Sequence, residues 1–220
     1  MNSRILAAAI SLVCVCAPLL RAQSGDKARQ VVDSAIAALG GERFLHMQTL
    51  IESGRVYSFF HDRISGFDRA HIYVEYLPEK PAKGLAVRER EAFGKKQDYS
   101  YLFLPDQGWD ITYRGARQIP RDKWDEYARN TENDILYVLR ERHNEPGMTY
   151  YYVGRDTLLS SEVDVVDITD SRDRTIRVYF DRNTHFPIRE TYKWFDPKLN
   201  YQNDEDTHYV NYRDAGGGVM

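Results

Sequence analysis

The stretch that decides the fold covers residues 99–112, whose sequence is YSYLFLPDQGWDIT. Large aromatic side chains alternate with other residues over positions 99–104, which is typical of a β-strand with one packed face. Pro105 and Asp106 mark a turn, and a second strand is predicted over residues 107–112. Strands joined by so short a turn, with no helix between them, pair antiparallel.

The same pattern of strand segments and short turns continues on both sides of this stretch. Segments rich in Val, Ile, Tyr and Phe are separated by turns rich in Gly, Pro and Asp. The predicted strands cover residues 53–61, 69–77 and 85–93 upstream, and residues 149–153, 163–169, 175–182, 187–195 and 207–213 downstream. The polar, acidic segment 200–206 is predicted to be a loop. The sequence therefore predicts a protein built mainly of antiparallel sheet.

Two helical segments accompany the strands. Apolar residues recur with the 3.6-residue period of a buried stripe over residues 28–39, and the glycine pair that follows ends this helix. A second stripe covers residues 124–139, and the polar patch at 130–133 leaves open whether it is one helix or two. Pro146 and Gly147 stop it. No internal repeat or linker interrupts the chain, so one domain is expected.

The N-terminal segment has the pattern of a secretory signal peptide. Arg4 precedes an uncharged, apolar run of about sixteen residues, 5–20, and the small residue Ala22 offers a cleavage site. The run is shorter than the roughly 20 residues that a membrane-spanning helix needs. We therefore expect residues 1–22 to be removed on export to the periplasm. A retained N-terminal membrane anchor is the alternative.

The expected mature chain is a single domain over residues 23–220. It contains no cysteine, because Cys14 and Cys16 both precede the cleavage site. Its stability must therefore come from packing, and a chain of this size buries roughly 70% of its unfolded surface. The glycine run 216–218 follows a predicted strand and is typical of a turn into a further strand. We therefore expect that the sequence is truncated at its C-terminus.

Composition and motifs argue against several classes of function. With 30 basic and 33 acidic residues, a net charge of -3, the chain lacks the positive surface of a nucleic-acid-binding protein. It has no Gly-x-Ser-x-Gly motif, no phosphate-binding glycine loop and no histidine pair at helical spacing. We expect no enzymatic activity, no cofactor and no metal. A hydrolase site assembled only in three dimensions is the rival hypothesis.

The acidic clusters are interpreted as solvated surface. Glu89 and Glu91 share one face of their strand, but Arg88 and Arg90 flank them, so a solvated charged face is the simpler account. The acidic run 203–206 lacks the spaced pattern of a calcium loop and is interpreted in the same way.

The abundance of aromatic residues is the positive signal for binding. Aromatic side chains occupy alternate positions in several predicted strands, and most of them are expected to form packed core. The alternative is that a strongly curved sheet, with helices across its mouth, leaves an apolar cavity for a ligand. The candidate lining residues are Tyr57, Phe59, Tyr101, Phe103, Trp124, Ile135 and Leu139.

The order of these elements resembles the LolA-like outer-membrane lipoprotein-sorting proteins, especially their longer, poorly characterised members. The motifs that carry the resemblance are LPDQGW at 104–109, EVDVV at 162–166 and VYFDRNTHFPIR at 178–189. The resemblance covers almost all of the expected mature chain. It implies an α+β fold in which an antiparallel sheet forms a half-open barrel covered on one side by helices.

The same resemblance implies a function. It points to a monomeric periplasmic carrier that binds lipid or the acyl chains of lipoproteins, with the helical insertion as a lid. Arg55 lies in about the region where the best-known carriers of this family have an arginine that locks the lid. The alternative is an envelope-stress sensor or adaptor on the same fold that acts through a membrane-associated protein partner.

Overall fold

The structure is a computed structural model that describes residues 24–81 and 83–220. The predicted signal peptide, residues 1–22, lies outside the described residues. Within those ranges, no helix combines the length and the apolar character needed to cross a membrane.

The described chain divides into two compact units, each built on one antiparallel sheet. The six-strand unit comprises residues 46–132, and the five-strand unit comprises residues 24–45 and 133–220. Both sheets are open, with an edge strand at either side. The predicted α+β class with antiparallel strands is therefore confirmed. The expectation that residues 23–220 form one domain stays a prediction.

The described residues form four α-helices. They are α1 (residues 24–39), α2 (Glu42–Leu45), α3 (Arg121–Asn133) and α4 (Ile135–Tyr137), and a π-helical turn (Val138–Arg142) follows α4 directly. The six-strand unit contains all of α3 except its last residue, and the other helices belong to the five-strand unit.

The sheet of the six-strand unit is a simple meander. Its strands are β1 (Thr49–Phe60), β2 (Arg63–Tyr76), β3 (Val87–Phe93), β4 (Tyr99–Phe103), β5 (Gly108–Thr112) and β6 (Gly115–Gln118). Each strand pairs antiparallel with its neighbour in sequence. The short turn between β4 and β5 confirms the antiparallel pairing predicted from residues 99–112.

The first two strands form a long hairpin around a two-residue turn. His61 and Asp62 both have positive φ, 47° and 58°, as a type I′ turn requires. Residues 62–68 were predicted to lie outside the strands, but β2 begins at Arg63 and continues through them. A register shift at Ser58 and Phe59 accommodates the extra residue.

Strand β6 is one that the sequence analysis missed. Its four residues, GARQ, are all exposed and show no alternation of apolar and polar side chains. The strand forms because Gly115, at φ 114°, turns the chain back onto β5. Gly108 allows a close approach in the same region, since a Cβ there would lie 2.6 Å from Cδ1 of Ile119.

The sheet of the five-strand unit has the order β11-β10-β9-β8-β7. Its strands are β7 (Thr149–Leu158), β8 (Ser161–Thr169), β9 (Thr175–Asp181), β10 (Pro187–Asp196) and β11 (Tyr201–His208). All neighbours are antiparallel. Val166 of β8 and Val178 of β9 are paired across the two strands and fully buried, and Val163, on the other face of β8, is fully buried as well.

Helix α1 packs by the stripe that its sequence predicts. Ala28, Val32, Ala35 and Leu39 have no exposed surface. The helix gives way to a turn at Gly40, where a Cβ would approach the carbonyl oxygen of Gly218 to 2.8 Å. The backbone of the C-terminal residue reaches the same place, since Met220 N donates to Leu39 O at 2.9 Å. The expected truncation beyond residue 220 stays a prediction.

The helical insertion divides in two where the polar patch ends. Helix α3 stops at Asn133, and Asp134 has extended backbone and caps α4. Its Oδ1 accepts a hydrogen bond from the backbone N of Tyr137 at 2.9 Å. A short acidic residue at this place therefore ends one helix and begins the next.

The predicted loop at 200–206 is wrong, because these residues form most of β11. The acidic side chains find partners on β10: Arg189 bonds Asp206 at 2.7 Å and Lys193 bonds Asp204 at 3.2 Å. Cross-strand pairs of opposite charge stabilise an edge strand that has no apolar pattern of its own. The strand predicted over residues 207–213 is not formed as such, because β11 ends at His208.

Candidate ligand-binding face

A row of aromatic side chains crosses one face of the six-strand sheet. Phe93 of β3 and three alternate residues of β4, Tyr99, Tyr101 and Phe103, form this aromatic ladder. The ring centroids are 5.8, 5.3 and 6.0 Å apart from one rung to the next. Alternate residues of a strand point to the same face, which explains why the sequence pattern produces the ladder. Phe103 is buried, and the other three rings are partly exposed.

Helix α3 lies against this ladder. The ring of Tyr127 stacks on Phe103 with centroids 3.7 Å apart and planes 7° from parallel. Lys123 Nζ lies 4.1 Å from the ring centroid of Tyr101 and donates a hydrogen bond to its hydroxyl group at 2.7 Å. Trp124 Nε1 donates to the carbonyl oxygen of Leu104 at 3.1 Å. One side of α3, within a single turn, therefore makes all of these contacts.

Two carboxyl groups lie beside the ladder. Glu89 is paired with Phe103 and Glu91 with Tyr101 across β3 and β4, so they share the face that α3 covers. The Tyr127 hydroxyl group donates to Oε2 of Glu89 at 3.2 Å. Burial, reinforced by the charge of Glu91, raises the pKa of Glu89 to about 8. Burial also raises the pKa of Glu91. Glu89 is therefore protonated at neutral pH.

The prediction of a solvated charged face for Glu89 and Glu91 is wrong. Strand alternation sends Arg88 and Arg90 to the opposite face, where Arg88 bonds Glu75 at 3.4 Å. The arginines therefore do not neutralise the two carboxyl groups. The alternation along residues 88–91 already separates the two arginines from the two glutamates. Which of the two faces is buried depends on the position of α3, which the sequence did not give.

The structure brings three of the predicted lining residues together. Tyr101 and Phe103 belong to the ladder, and Trp124 of α3 is buried next to the end of β4. Tyr127 and Lys123 belong to the same face. Tyr127 lies within the apolar stripe predicted over residues 124–139 but was not among the predicted lining residues, and Lys123 precedes that stripe.

Tyr57 and Phe59 lie on the opposite face of the same sheet, which corrects the single lining predicted from the sequence. Tyr57 pairs with Phe67 of β2. On this face of the sheet, the pairing continues through β3 to Leu102 of β4, whereas Tyr101 lies on the other face. Both side chains are exposed. Alternation along each strand was predicted correctly, but the register between strands decides which residues share a face.

Arg55 also lies on that opposite face, where it is paired with Arg69. This placement does not support a lock between Arg55 and α3, since the helix contacts the other face. Ile135 and Leu139 belong to the five-strand unit, and neither has any exposed surface. They are core residues and do not line an accessible surface.

The five-strand unit holds a second pair of buried carboxyl groups. Glu190 Oε2 accepts a hydrogen bond from Ile135 N at 2.6 Å, and the Tyr209 hydroxyl group donates to Asp134 Oδ2 at 3.0 Å. Burial and the neighbouring Asp134 raise the pKa of Glu190 to about 8. Both groups bind the first backbone N–H groups of α4, so their role is to start that helix.

A buried ion network closes the turn between β8 and β9. Asp170 Oδ2 lies 3.1 Å from Arg142 and 2.6 Å from Arg174. Burial alone would raise the pKa of Asp170, but the hydrogen bonds from both arginines and from backbone N–H groups hold it well below its usual value. In residues 24–81 and 83–220, no three His, Cys, Asp or Glu side chains gather as a metal site.

Comparison with solved structures identifies the class of fold. No protein-family model matches the chain, and no curated protein sequence matches it either. The chain nevertheless has the fold of LolA-like proteins. It superposes on a domain from Vibrio parahaemolyticus, named as an outer membrane lipoprotein-sorting protein domain, with a TM-score of 0.51 and 11% identity over 86% of this chain and 80% of that one. The predicted resemblance is therefore confirmed at the level of the fold.

Two further solved structures are similar at lower scores. A DUF1329 family protein from Desulfovibrio piger has a TM-score of 0.45 with 13% identity, over 78% of this chain and 74% of that one. A LolA superfamily protein from Nitrosomonas europaea has a TM-score of 0.45 with 8% identity, over 87% and 81% of the two chains.

Proposed function

We propose that this protein is a non-enzymatic, monomeric carrier of the periplasm that binds a lipid or the acyl chains of a lipoprotein. The aromatic ladder is the proposed binding surface, and α3 is the proposed lid. The observation that carries the proposal is a row of aromatic rings that α3 covers only in part, beside a carboxyl group whose pKa is raised to about 8. The rings offer apolar surface to a hydrocarbon chain, and the raised pKa of Glu89 reduces the charge beside them.

The energies are consistent with a lid that a ligand displaces. An acyl chain of about sixteen carbons gains on the order of 12 kcal/mol on leaving water, at about 0.8 kcal/mol per CH₂ group. The hydrogen bonds of Lys123, Trp124 and Tyr127 contribute about 0.5–1.5 kcal/mol each. Their loss and the separation of the stacked rings of Tyr127 and Phe103 are smaller than this gross gain, so transfer of an acyl chain can offset the displacement of α3.

The periplasmic location follows from the proposed signal peptide, and the cargo class from the fold. The Vibrio parahaemolyticus domain that shares this fold carries a lipoprotein-sorting name. Its identity to this chain is 11%, so its name supports the proposal through the fold alone.

The test is ligand binding by the full-length chain expressed with its own N-terminal segment. Native mass spectrometry is expected to detect copurified lipid, and a fluorescent fatty acid is expected to bind. Replacement of Tyr101 by Ser is expected to weaken binding about tenfold, because a large apolar contact is lost. Tyr151→Ser, at an exposed tyrosine of β7, is the matched control.

Absence of lipid and of fatty-acid binding in the folded wild-type protein would contradict the carrier proposal. The sensor or adaptor hypothesis then predicts a stable protein partner in crosslinked pull-downs, with an affinity that added lipid changes. Sedimentation of the purified chain tests the proposed monomer.

A further inference from the structure

The hairpin of β1 and β2 exposes an apolar surface that the carrier proposal does not use. This hairpin face contains Tyr57 and Phe59 of β1 with their partners Phe67 and Ile64 of β2. Phe59, Ile64 and Phe67 are 66%, 61% and 71% exposed. Isolated exposed apolar residues are ordinary, but four neighbouring ones on a single face indicate an interaction surface.

Two arginines lie next to this apolar surface on the same hairpin face. Arg55 and Arg69 are directly opposite each other across the two strands, and both are exposed. Like charges in that position destabilise a strand pair. Among the described residues, neither guanidinium group has an ion pair or a hydrogen bond, although the next pair, Ser53 and His71, is hydrogen-bonded at 2.9 Å. An external anion between the two arginines would relieve the repulsion.

On the hairpin face, the side chains change from cationic to apolar in the direction of the turn. The arginine pair comes first, then Tyr57 and Phe67 with ring centroids 6.2 Å apart, then Phe59 with Ile64. At about 3.4 Å per residue, Arg55 and Phe59 are roughly 13 Å apart along the strand. Amphipathic segments bury their apolar side about 5–10 Å into the boundary between headgroups and acyl chains, which this length of strand can reach, and guanidinium groups bind phosphate well.

We propose that the hairpin face docks the protein onto the surface of an anionic phospholipid bilayer. Arg55 and Arg69 bind headgroup phosphates, and the rings of Tyr57, Phe59 and Phe67 enter the boundary between headgroups and acyl chains. Arginine and aromatic residues are the side chains that favour this boundary. The inference goes beyond the carrier proposal, because docking requires no bound cargo and uses the face of the sheet opposite to the aromatic ladder.

A bilayer fits this hairpin better than a protein surface does. Phe60 is 68% exposed and, by alternation, points away from the hairpin face. A flat protein partner covers one face of a hairpin, whereas a fluid bilayer can contact Phe60 as well as the hairpin face while the charged residues Asp62 and Arg63 at the turn stay among the headgroups. A second copy of this chain would bring two arginine pairs into one interface, where they repel.

The experiment measures binding of the full-length chain to lipid vesicles by cosedimentation. Vesicles of phosphatidylethanolamine and phosphatidylglycerol, at a ratio of seven to three, are compared with neutral phosphatidylcholine vesicles. We expect binding to the anionic vesicles that weakens as NaCl is raised. All variants carry the same N-terminal segment, so its contribution to binding is common to every measurement.

Two double variants separate the apolar and the cationic contributions. Phe59→Ser with Phe67→Ser is expected to weaken binding at least about tenfold on both kinds of vesicle. Arg55→Gln with Arg69→Gln is expected to weaken binding about tenfold or more on anionic vesicles and little on neutral ones. All four residues are exposed, so circular dichroism is expected to show unchanged folding.

Matched controls use exposed residues of the same unit outside the hairpin. Lys95→Gln with Lys96→Gln also removes two positive charges, from the turn after β3. Tyr113→Ser removes an exposed aromatic ring. Both controls are expected to bind vesicles like the wild type.

Three results would overturn the proposal. One is a wild-type chain that does not bind the anionic vesicles. Another is hairpin variants that bind as well as their controls. The third is self-association of the wild type that Phe59→Ser with Phe67→Ser abolishes while vesicle binding persists, which would assign the face to a second copy. Fatty-acid binding by the same variants tests the carrier proposal separately, since it is expected to stay unchanged.

Discussion

The hydroxyl group of Tyr127 in α3 donates a hydrogen bond to Oε2 of Glu89 in β3 across 3.2 Å, while its ring stacks on Phe103. This one side chain therefore joins the helix both to the aromatic ladder and to the carboxyl group beside it. The pKa of Glu89 is raised to about 8, so near neutral pH the hydrogen bond links two neutral groups. The hydrogen bond from Tyr127 favours the charged carboxylate, but the burial of Glu89 outweighs it.

The first prediction concerns the pH dependence of stability. The folded protein holds a proton on Glu89 that the unfolded chain releases, so the free energy of unfolding falls as pH rises from about 4.5 to about 8. Glu89→Gln removes this loss and is expected to raise the free energy of unfolding at pH 8.5 by about 1–3 kcal/mol. Urea unfolding at a series of pH values measures it.

Two comparisons make this measurement specific. Glu126→Gln, at an exposed position of α3, is expected to keep the wild-type pH slope. Glu190 has a pKa raised to about 8 as well, so Glu190→Gln is expected to remove a further part of the same slope. A slope unchanged in Glu89→Gln would show that Glu89 is solvated in the folded state.

The second prediction concerns the attachment of α3. Tyr127→Phe keeps the ring stacked on Phe103 but removes the hydrogen bond to Glu89. We expect stability to fall by about 1 kcal/mol and the amides of α3 to exchange hydrogen faster. Tyr152→Phe removes an equivalent hydrogen bond to Asp164 in the five-strand unit and is the control. Equal exchange of α3 in both variants would contradict the prediction.

The third prediction concerns the buried ion network at Asp170. Its removal in Asp170→Ala leaves the buried side chain of Arg142 without this partner. Arg142 keeps Glu145 as a partner at 3.0 Å, so its charge is only partly uncompensated, and we expect the free energy of unfolding to fall by about 3 kcal/mol, the lower end of the usual cost. Asp204→Ala breaks an exposed pair with Lys193 and is expected to cost less than about 1 kcal/mol. Denaturant unfolding of both variants provides the comparison, and similar losses would argue against a buried network.

The fourth prediction concerns a glycine that the fold requires. Gly84 has φ 91°, and a Cβ there would overlap the carbonyl oxygen of Pro105. Gly84→Ala is therefore expected to destabilise by about 2 kcal/mol more than Gly115→Ala, which has φ 114° but open space around it. Thermal unfolding of both variants tests this. Equal shifts in Tm would mean that only backbone strain is involved.

Much of the secondary structure could be predicted from local patterns. The apolar stripe of α1 and the alternation over residues 99–104 both depend on neighbours in sequence, and both predictions were confirmed. Strands β6 and β11 were missed because their residues carry no such pattern. They form because an existing strand offers backbone partners, and β11 also gains charged partners.

The candidate site could be predicted only in part. Tyr101, Phe103 and Trp124 lie close together, because β4 and α3 meet within a short length of chain, and their role in lining a ligand site stays a prediction. Tyr57 and Phe59 were assigned to the same lining, and the structure places them on the other face. The difference arises from the pairing of four successive strands, which no local pattern specifies.

Sequence alone determined the helical stripe of α1, the strands with alternating side chains and the antiparallel direction of the strands, because these properties follow from side-chain period and short turns. Tertiary structure decided which aromatic residues share a face, and it decided that Glu89 is neutral while Arg55 and Arg69 face each other. The physical reason is that burial and pairing depend on register between strands and on the helix packed against them, and both join residues that are distant in sequence.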